Sequence, residues 1–373
     1  MRTRADQREK SSQGRLGGRV GRMATEALPR SGRTKTEACF AKSKGASTIT
    51  SMSASEGHPA AREDPVRAVR GIETILAFTD FSEHGATAVR RGAQLAAQHG
   101  AALRVVHVET PVARAPVQAR PASGEARTHM ADSESALAAL AAQAMALHPI
   151  RVRTQVVAGA LLDEILRESA AADLLVLGAR GKSPIRRALL GTTAIRLLTK
   201  CDRPILVVRQ EAAASYRRIL VPVDLNDNAD TTLEAVLALA PDAEVHVLHV
   251  YELDLEGKLR MAGVGETRVE KYREAVRARV QARLLAMLAR HERGTLRFHP
   301  HLQRGHAGRS ILARATRIDA DLIVMSKRSR SKLEDIVLGS VTERVVTDAR
   351  SDVLVVPLLP GDNGRGRPGR RGR

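Results

Sequence analysis

Asp173-Leu174-Leu175-Val176-Leu177 runs directly into Gly178-Ala179-Arg180-Gly181, and nine residues later comes Gly191-Thr192-Thr193, followed by Ala194-Ile195-Arg196-Leu197-Leu198. A short unbroken aliphatic run is the pattern of a strand buried on both faces. The segment after Gly191 opens with hydroxyls and continues with helical apolar spacing, so it marks a helix start. Glycines let the main chain approach a ligand closely or take positive φ. A helix N-terminus offers free N–H groups and a dipole that favours anions. Two glycine turns and a helix start at the carboxyl end of one strand therefore form a cradle for phosphates.

A worn copy lies further along: Ser326-Lys327-Arg328-Ser329, nine residues, then Gly339-Ser340-Val341. Other segments recur in the same order. Arg218-Ile219-Leu220-Val221-Pro222-Val223-Asp224 answers Thr74-Ile75-Leu76-Ala77-Phe78-Thr79-Asp80, and Val247-Leu248-His249-Val250 answers Val105-Val106-His107-Val108. Gly305 answers Gly159, Asp321-Leu322-Ile323-Val324-Met325 answers Asp173 to Leu177, and Asp352 to Val356 answers Pro204 to Val208. Ordered correspondence over about 140 residues is an internal duplication.

Within the first copy, strands are expected at Ile72–Thr79, Leu103–Val108, Val152–Val157, Asp173–Leu177 and Pro204–Val208. Helices are expected at Glu83–Gln98, from about Asp132 to Leu147, at Leu161–Ala171 and at Thr192–Lys200. Alternating strands and helices imply a parallel sheet with right-handed crossovers. The fold class is α/β, two tandem doubly wound domains, each a five-stranded parallel sheet with helices on both faces. The expected boundaries are a disordered basic extension over 1–68, a first domain over 69–210, a linker at 211–215, a second domain over 216–359 and an Arg/Gly-rich tail over 360–373. Ligands of such sheets lie outside the carboxyl ends of the strands, where Asp80, Val108 and Leu177-Gly178 would converge.

Composition agrees. The 373 residues contain no Trp, four Phe and three Tyr, so the cores must be aliphatic and no aromatic platform for single-stranded nucleic acid is available. The net charge of +19 sits largely in the two tails and attracts polyanions without sequence preference. Two cysteines give neither a disulfide framework nor a zinc spacing. No apolar run reaches the roughly 18 residues of a membrane span, and no apolar stretch follows the basic start, so a cytoplasmic protein is expected.

At these residues the chain resembles tandem universal stress proteins of the UspA type, whose fold is of the adenine nucleotide alpha hydrolase kind. The pattern Gly, two residues, Gly, nine residues, Gly, then Ser or Thr is matched at Gly178, Gly181, Gly191 and Thr192. The resemblance covers roughly residues 70–210 and 216–358. It implies binding of ATP, or ADP or AMP, with Mg or Mn on the phosphates and no protein side chain on the metal. It assigns Asp80 and Val108 to the adenosine end, Leu177 and Gly178 to the crevice floor, and Gly181, Gly191, Thr192 and Thr193 to the phosphates. The corresponding second-half positions are Asp224, Val250, Met325, Ser326, Ser329, Gly339, Ser340 and Val341. There both glycines of the first turn are serines, so weak or absent binding is expected, although Lys327, Arg328, Arg330 and Lys332 keep that loop basic. The resemblance also implies a pseudo-dimer of the two domains through Ile205–Val208 and Val353–Val356, with further homo-oligomers and a regulatory partner protein left open.

Other readings stand beside these. Asp80 and Asp224 could cap the helices that follow them. His299, His301 and His306 alternate as metal ligands would, but no matching carboxylate or Cys set accompanies them, which favours a surface strand. No Ser-His-Asp, paired-carboxylate or Walker arrangement is present, so a nucleotide-dependent regulator is preferred to an enzyme. The alternatives are a slow ATPase or autophosphorylating protein using Thr192, Thr193 or Ser183, and a nucleotide-free scaffold.

Overall fold

A computed structural model describes residues 71–110, 123–179, 192–212, 214–225, 228–291, 298–327 and 338–357. The first lobe runs β1 (Thr74–Phe78), α1 (Glu83–His99), β2 (Ala102–Glu109), α2 (Ser123–Leu147), β3 (Arg151–Ala158), α3 (Leu161–Ser169), β4 (Leu174–Gly178), α4 (Thr192–Lys200) and β5 (Ile205–Val208). The second repeats it as β6 (Arg218–Val223), α5 (Asn228–Leu239), β7 (Glu244–Tyr251), α6 (Glu256–Met261), α7 (Glu266–Ala289), β8 (Phe298–Arg304), α8 (Ala307–Arg317), β9 (Leu322–Ser326), α9 (Ser340–Asp348) and β10 (Asp352–Val356). The expected start of α2 near Asp132 is corrected to Ser123. The Pro- and Ala-rich connection before it is accordingly shorter, because Ser123 to Met130 is free of proline and can join the helix.

Among the described residues ten strands form one sheet in the order β3-β2-β1-β4-β5-β10-β9-β6-β7-β8. All pairings are parallel except β5 with β10, which meet antiparallel through Val207↔Val353, Leu206↔Leu354 and Ile205↔Val355. The two last strands thus join the lobes as an intramolecular pair. Each would otherwise be an exposed aliphatic edge, a template for aggregation.

Strand side chains alternate between two cores, each continuous across both lobes. Ile75, Ala77, Leu103, Val105, Val176 and Leu206 lie on one face, beneath α1, α2, α5 and α7. Leu76, Phe78, Val106, Leu175, Val207 and Val353 lie on the other, beneath α3, α4, α8 and α9. Removing such side chains from water contributes about 1.5–3 kcal/mol each, which explains why unbroken aliphatic strands suffice without aromatic residues.

Local signals set the helix ends. Ser82 caps α1 by accepting from the Gly85 amide at 3.1 Å, and Gly100, at φ 66°, ends it with its amide on the Ala96 carbonyl. The chain between the lobes is strapped to α1: Arg90 meets Glu211 at 2.9 Å, and Arg91 donates to the Ala214 carbonyl at 2.9 Å and the Glu211 carbonyl at 3.2 Å.

Candidate functional site

The strand order reverses between β1 and β4, so the crevice expected of a doubly wound sheet opens at their carboxyl ends. The register Phe78↔Val106 places Asp80 level with Val108, and Ala77↔Val176 places Phe78 level with Leu177. Asp80, Val108, Leu177 and Gly178 therefore share one edge of three adjacent strands. Val108 and Leu177 are buried, while Asp80 and Gly178 are half-buried.

Asp80 Oδ1 accepts from the Ser82 amide at 3.0 Å and from the Ser82 hydroxyl. The α1 cap is thus Ser82, not Asp80, whose carboxylate fixes the capping residue. Between them Phe81 takes φ 58°, and Leu225, beside Asp224 in the second lobe, takes the same value. A left-handed conformation at a bulky residue costs about 1–2 kcal/mol. Packing offsets it: the Phe81 ring lies 4.3 Å from His107, whose Nδ1 is 2.8 Å from the Thr79 carbonyl oxygen. His249 repeats that bond to the Val223 carbonyl at 2.8 Å.

Gly178 has a role the motif alone does not reveal. A Cβ there would lie 2.6 Å from the carbonyl oxygen of His84 in the first turn of α1. The glycine admits helix backbone, and its φ is not positive. Closest approach at this position is thus made by α1, whatever else the crevice holds.

Thr192 is the first residue of α4, and Thr193, partly buried, follows it; the first turn carries no acidic residue. This end of α4 keeps the electrostatics an anion requires. Gly181, Gly191, Arg180, Lys182, Arg186 and Arg187 lie outside the described residues.

The second lobe places Asp224, exposed, beyond β6, Val250 near the end of β7, and Met325 and Ser326 at the end of β9. Gly339 stands at the N-cap of α9 without a side-chain hydrogen bond, ahead of Ser340 and Val341. Ser329, Arg328, Arg330 and Lys332 are outside the described residues. Glu343 sits in the first turn of α9 where α4 has Ile195, and its charge opposes an anion there. The aligned halves display this difference, but glycine-centred reasoning passes over it.

Lys327 departs from expectation. It is buried, and its Nζ donates to the carbonyls of Thr199 and Cys201 at the C-terminus of α4 in the other lobe. Burial lowers its pKa. It caps a helix across the seam and adds no charge to the second crevice. Arg209 makes the reciprocal contact, donating to the Val346 and Thr347 carbonyls at the end of α9.

Among the described residues, no group of three or more His, Cys, Asp or Glu is arranged to hold a metal ion. His299 and His301 face His246, while His306 is the N-cap residue of α8. A cavity of about 330 Å³, lined by Ala96, Gly100, Met145, His148 and Ile150 among others, lies at the opposite end of the strands from the crevice. No helix among the described residues is long and apolar enough to cross a membrane.

Comparison with known proteins bears on this arrangement. The model of the universal stress protein family matches residues 71–209 and 215–357. A universal stress protein of Mycolicibacterium smegmatis is 27% identical over 296 residues, covering 76% of this chain and 96% of the relative. One from Methanocaldococcus jannaschii is 28% identical over 141 residues, covering 38% of this chain and 82% of its own length. The crystal structure of a universal stress protein from Archaeoglobus fulgidus superposes with a TM-score of 0.57 at 20% identity, covering 76% of this chain and 98% of that one.

Proposed function

The chain belongs to the universal stress protein family, and from that premise we propose that its first lobe binds an adenine nucleotide, ATP with a divalent cation on its phosphates. The protein then acts as a stress-response regulator whose contacts with a partner depend on the bound nucleotide. One observation carries this reading. Asp80, Val108 and Gly178 line the carboxyl edge where strand order reverses, and α4, which follows β4, opens with Thr192 and Thr193 and no acid in its first turn.

The residues present fit the nucleotide. Asp80 and Val108 would meet the adenosine end, and the first-turn amides and hydroxyls of α4 the phosphates. Each phosphate charge at a helix N-terminus gains about 0.3–1 kcal/mol from the dipole, before any hydrogen bond. A divalent cation would supply charge neutralisation of the phosphates. The first-turn Glu343 argues that the second lobe binds weakly or not at all.

Titration calorimetry with ATP–magnesium tests the reading, and one nucleotide per chain is the expected stoichiometry. A Thr192→Val, Thr193→Val variant should lose about tenfold in affinity, equivalent to ~1.4 kcal/mol. Absence of binding by ATP, ADP and AMP alike, or undiminished affinity in that variant, overturns it.

A further inference from the structure

We propose that the stack of His246, His299 and His301 is an acid-responsive latch: neutral imidazoles hold edge strand β8 against β7, and their protonation releases it.

His246 on β7 lies directly opposite His299 on β8, and His301 lies opposite Leu248. The His246 ring stacks on both, with centroids 4.9 Å and 5.2 Å away. His246 Nε2 and His299 Nε2 approach one oxygen of Glu244 at 3.2 Å and 3.1 Å. His246 Nδ1 lies 2.9 Å from His301 Nε2. This geometry selects tautomers. With its Nε2–H given to Glu244, His246 can only accept at Nδ1, so His301 must donate from Nε2. A proton added at His246 Nδ1 sets two donors against each other, and one added to His301 places a positive charge, partly buried, beside Arg314.

Glu244 favours the charged form of His246, but burial outweighs it. Arg314 on α8 and Arg218 on β6 face the stack and disfavour protonation. Arg218 is itself paired with Asp319 at 2.7 Å, and among the described residues Glu244 is the acid touching the rings. On the other face of β8, α7 supplies the buried apolar side chains of Leu284, Met287 and Leu288.

The first lobe carries different chemistry at the matching positions. At the positions of His246, His301 and Arg314 it has Arg104, Gln155 and Glu168. Arg104 there is bonded to Glu168 and, at 3.4 Å, to Gln155. Where the first lobe has a permanent ion pair, the second has titratable rings facing a fixed cation.

Burial, then the neighbouring cations, lowers the pKa of His301 to about 4, and burial likewise lowers that of His246. The sign follows. A histidine whose native pKa lies below its ordinary value favours the fold while neutral, and that preference is lost as pH falls from about 6.5 toward 4.

Hydrogen exchange of the full chain, corrected for intrinsic rates, tests the latch, with the equivalent edge strand β3 as internal reference. Between about pH 7.5 and pH 5, protection of Phe298–Arg304 should fall by roughly 30-fold, the ratio expected for a group moving from pKa 4 to 6.5 on release. Protection of β3 should hold. Restoring the first-lobe chemistry with His246→Arg, His301→Gln and Arg314→Glu should abolish the fall. Should that variant not fold, the single variant His301→Gln should reduce it, and an NMR titration of the wild-type imidazoles should place His246 and His301 below pH 6.5. Equal loss in β3 and β8, unchanged protection of β8, or ordinary titration of both histidines overturns the proposal.

Discussion

Arg91 Nε lies 3.3 Å from Asp352 Oδ2, joining a helix of the first lobe to the seam strand of the second, with side chains 4% and 0% exposed. The same carboxylate accepts from the Arg209 amide at 2.7 Å, the Gln210 amide at 3.0 Å and the Tyr216 hydroxyl at 2.7 Å. The Arg91 guanidinium stands 4.5 Å over the Tyr216 ring. Burial raises the pKa of Asp352 despite these donors, and raises that of the Tyr216 hydroxyl as well. The cluster ties β10, the linker and α1 together where the lobes meet.

Removing one partner of such a pair strands the other as an uncompensated buried charge. Asp352→Asn should therefore cost about 3–5 kcal/mol, the usual cost of breaking a buried ion pair. Urea unfolding monitored by circular dichroism measures it. A loss below about 1 kcal/mol would place the pair among the weak surface kind and remove its role at the seam.

The reciprocal helix caps make a smaller claim. Lys327→Met leaves the Thr199 and Cys201 carbonyls without their donor, and unmet buried acceptors cost about 1–3 kcal/mol. A lowered melting temperature with faster amide exchange in α4 is the expected outcome. Unchanged exchange in α4 would show that water serves those carbonyls equally well.

Gly178 and Ser326 occupy matching positions and should respond differently to exchange. Gly178→Ser drives a Cβ onto the His84 carbonyl, and overpacking of this sort costs about 1–3 kcal/mol. Ser326→Gly removes a side chain that the second lobe already holds and should change stability by less than about 1 kcal/mol. Parallel denaturation of the two variants decides it, and equal losses would refute the packing account of the first-lobe glycine.

These residues also mark how far the sequence could be read. Aliphatic runs, glycine stops and the ordered recurrence of Asp80 as Asp224 and His107 as His249 identify the strands, the duplication and the crevice edge, because each is a local signal with a fixed period. The join of the two last strands was implied by the family resemblance and fits aliphatic edges that must be covered, whereas its antiparallel sense through Leu206 and Leu354 comes from the structure. The Arg91–Asp352–Tyr216 cluster was not. An arginine on a helix and an aspartate at a strand start look exposed, and only the meeting of segments about 260 residues apart in sequence buries them. Lys327 misled for the same reason: a lysine among basic loop residues looks solvated, and its partner carbonyls belong to the other lobe.

Asp230, in the first turn of α5, tests the electrostatics of the second lobe. Burial alone would raise its pKa, but His291 at 2.7 Å and Arg290 at 3.0 Å outweigh that and lower it. A carboxylate held below its unfolded value stabilises the fold above that value and loses the contribution as pH falls through the native one. Asp230→Asn should therefore be less stable than the parent at neutral pH, by less than about 1 kcal/mol given its exposure. The difference should vanish in acid, below the native pKa. Stability curves of both proteins against pH supply the check, and a gap that persists in acid would reject the assignment.

Ile195 and Glu343 allow the proposed phosphate site to be tested without disturbing a glycine. Both stand in the first turn of the helix after the motif, and only the second-lobe residue carries charge. Ile195→Glu imports that charge into the first lobe, while Ile195→Gln imports the same bulk and polarity without it. Any loss of packing is common to the two, so their difference isolates electrostatics. An added anion near a helix N-terminus opposes phosphate by about 0.3–1 kcal/mol, or roughly two- to fivefold in ATP affinity. The gap should narrow as ionic strength rises, because partly exposed charges are screened over about a Debye length. Calorimetry at two salt concentrations resolves both effects. If Glu and Gln variants bind ATP equally at low salt, the phosphates do not rest at the start of α4, and the crevice must be assigned to another part of the nucleotide.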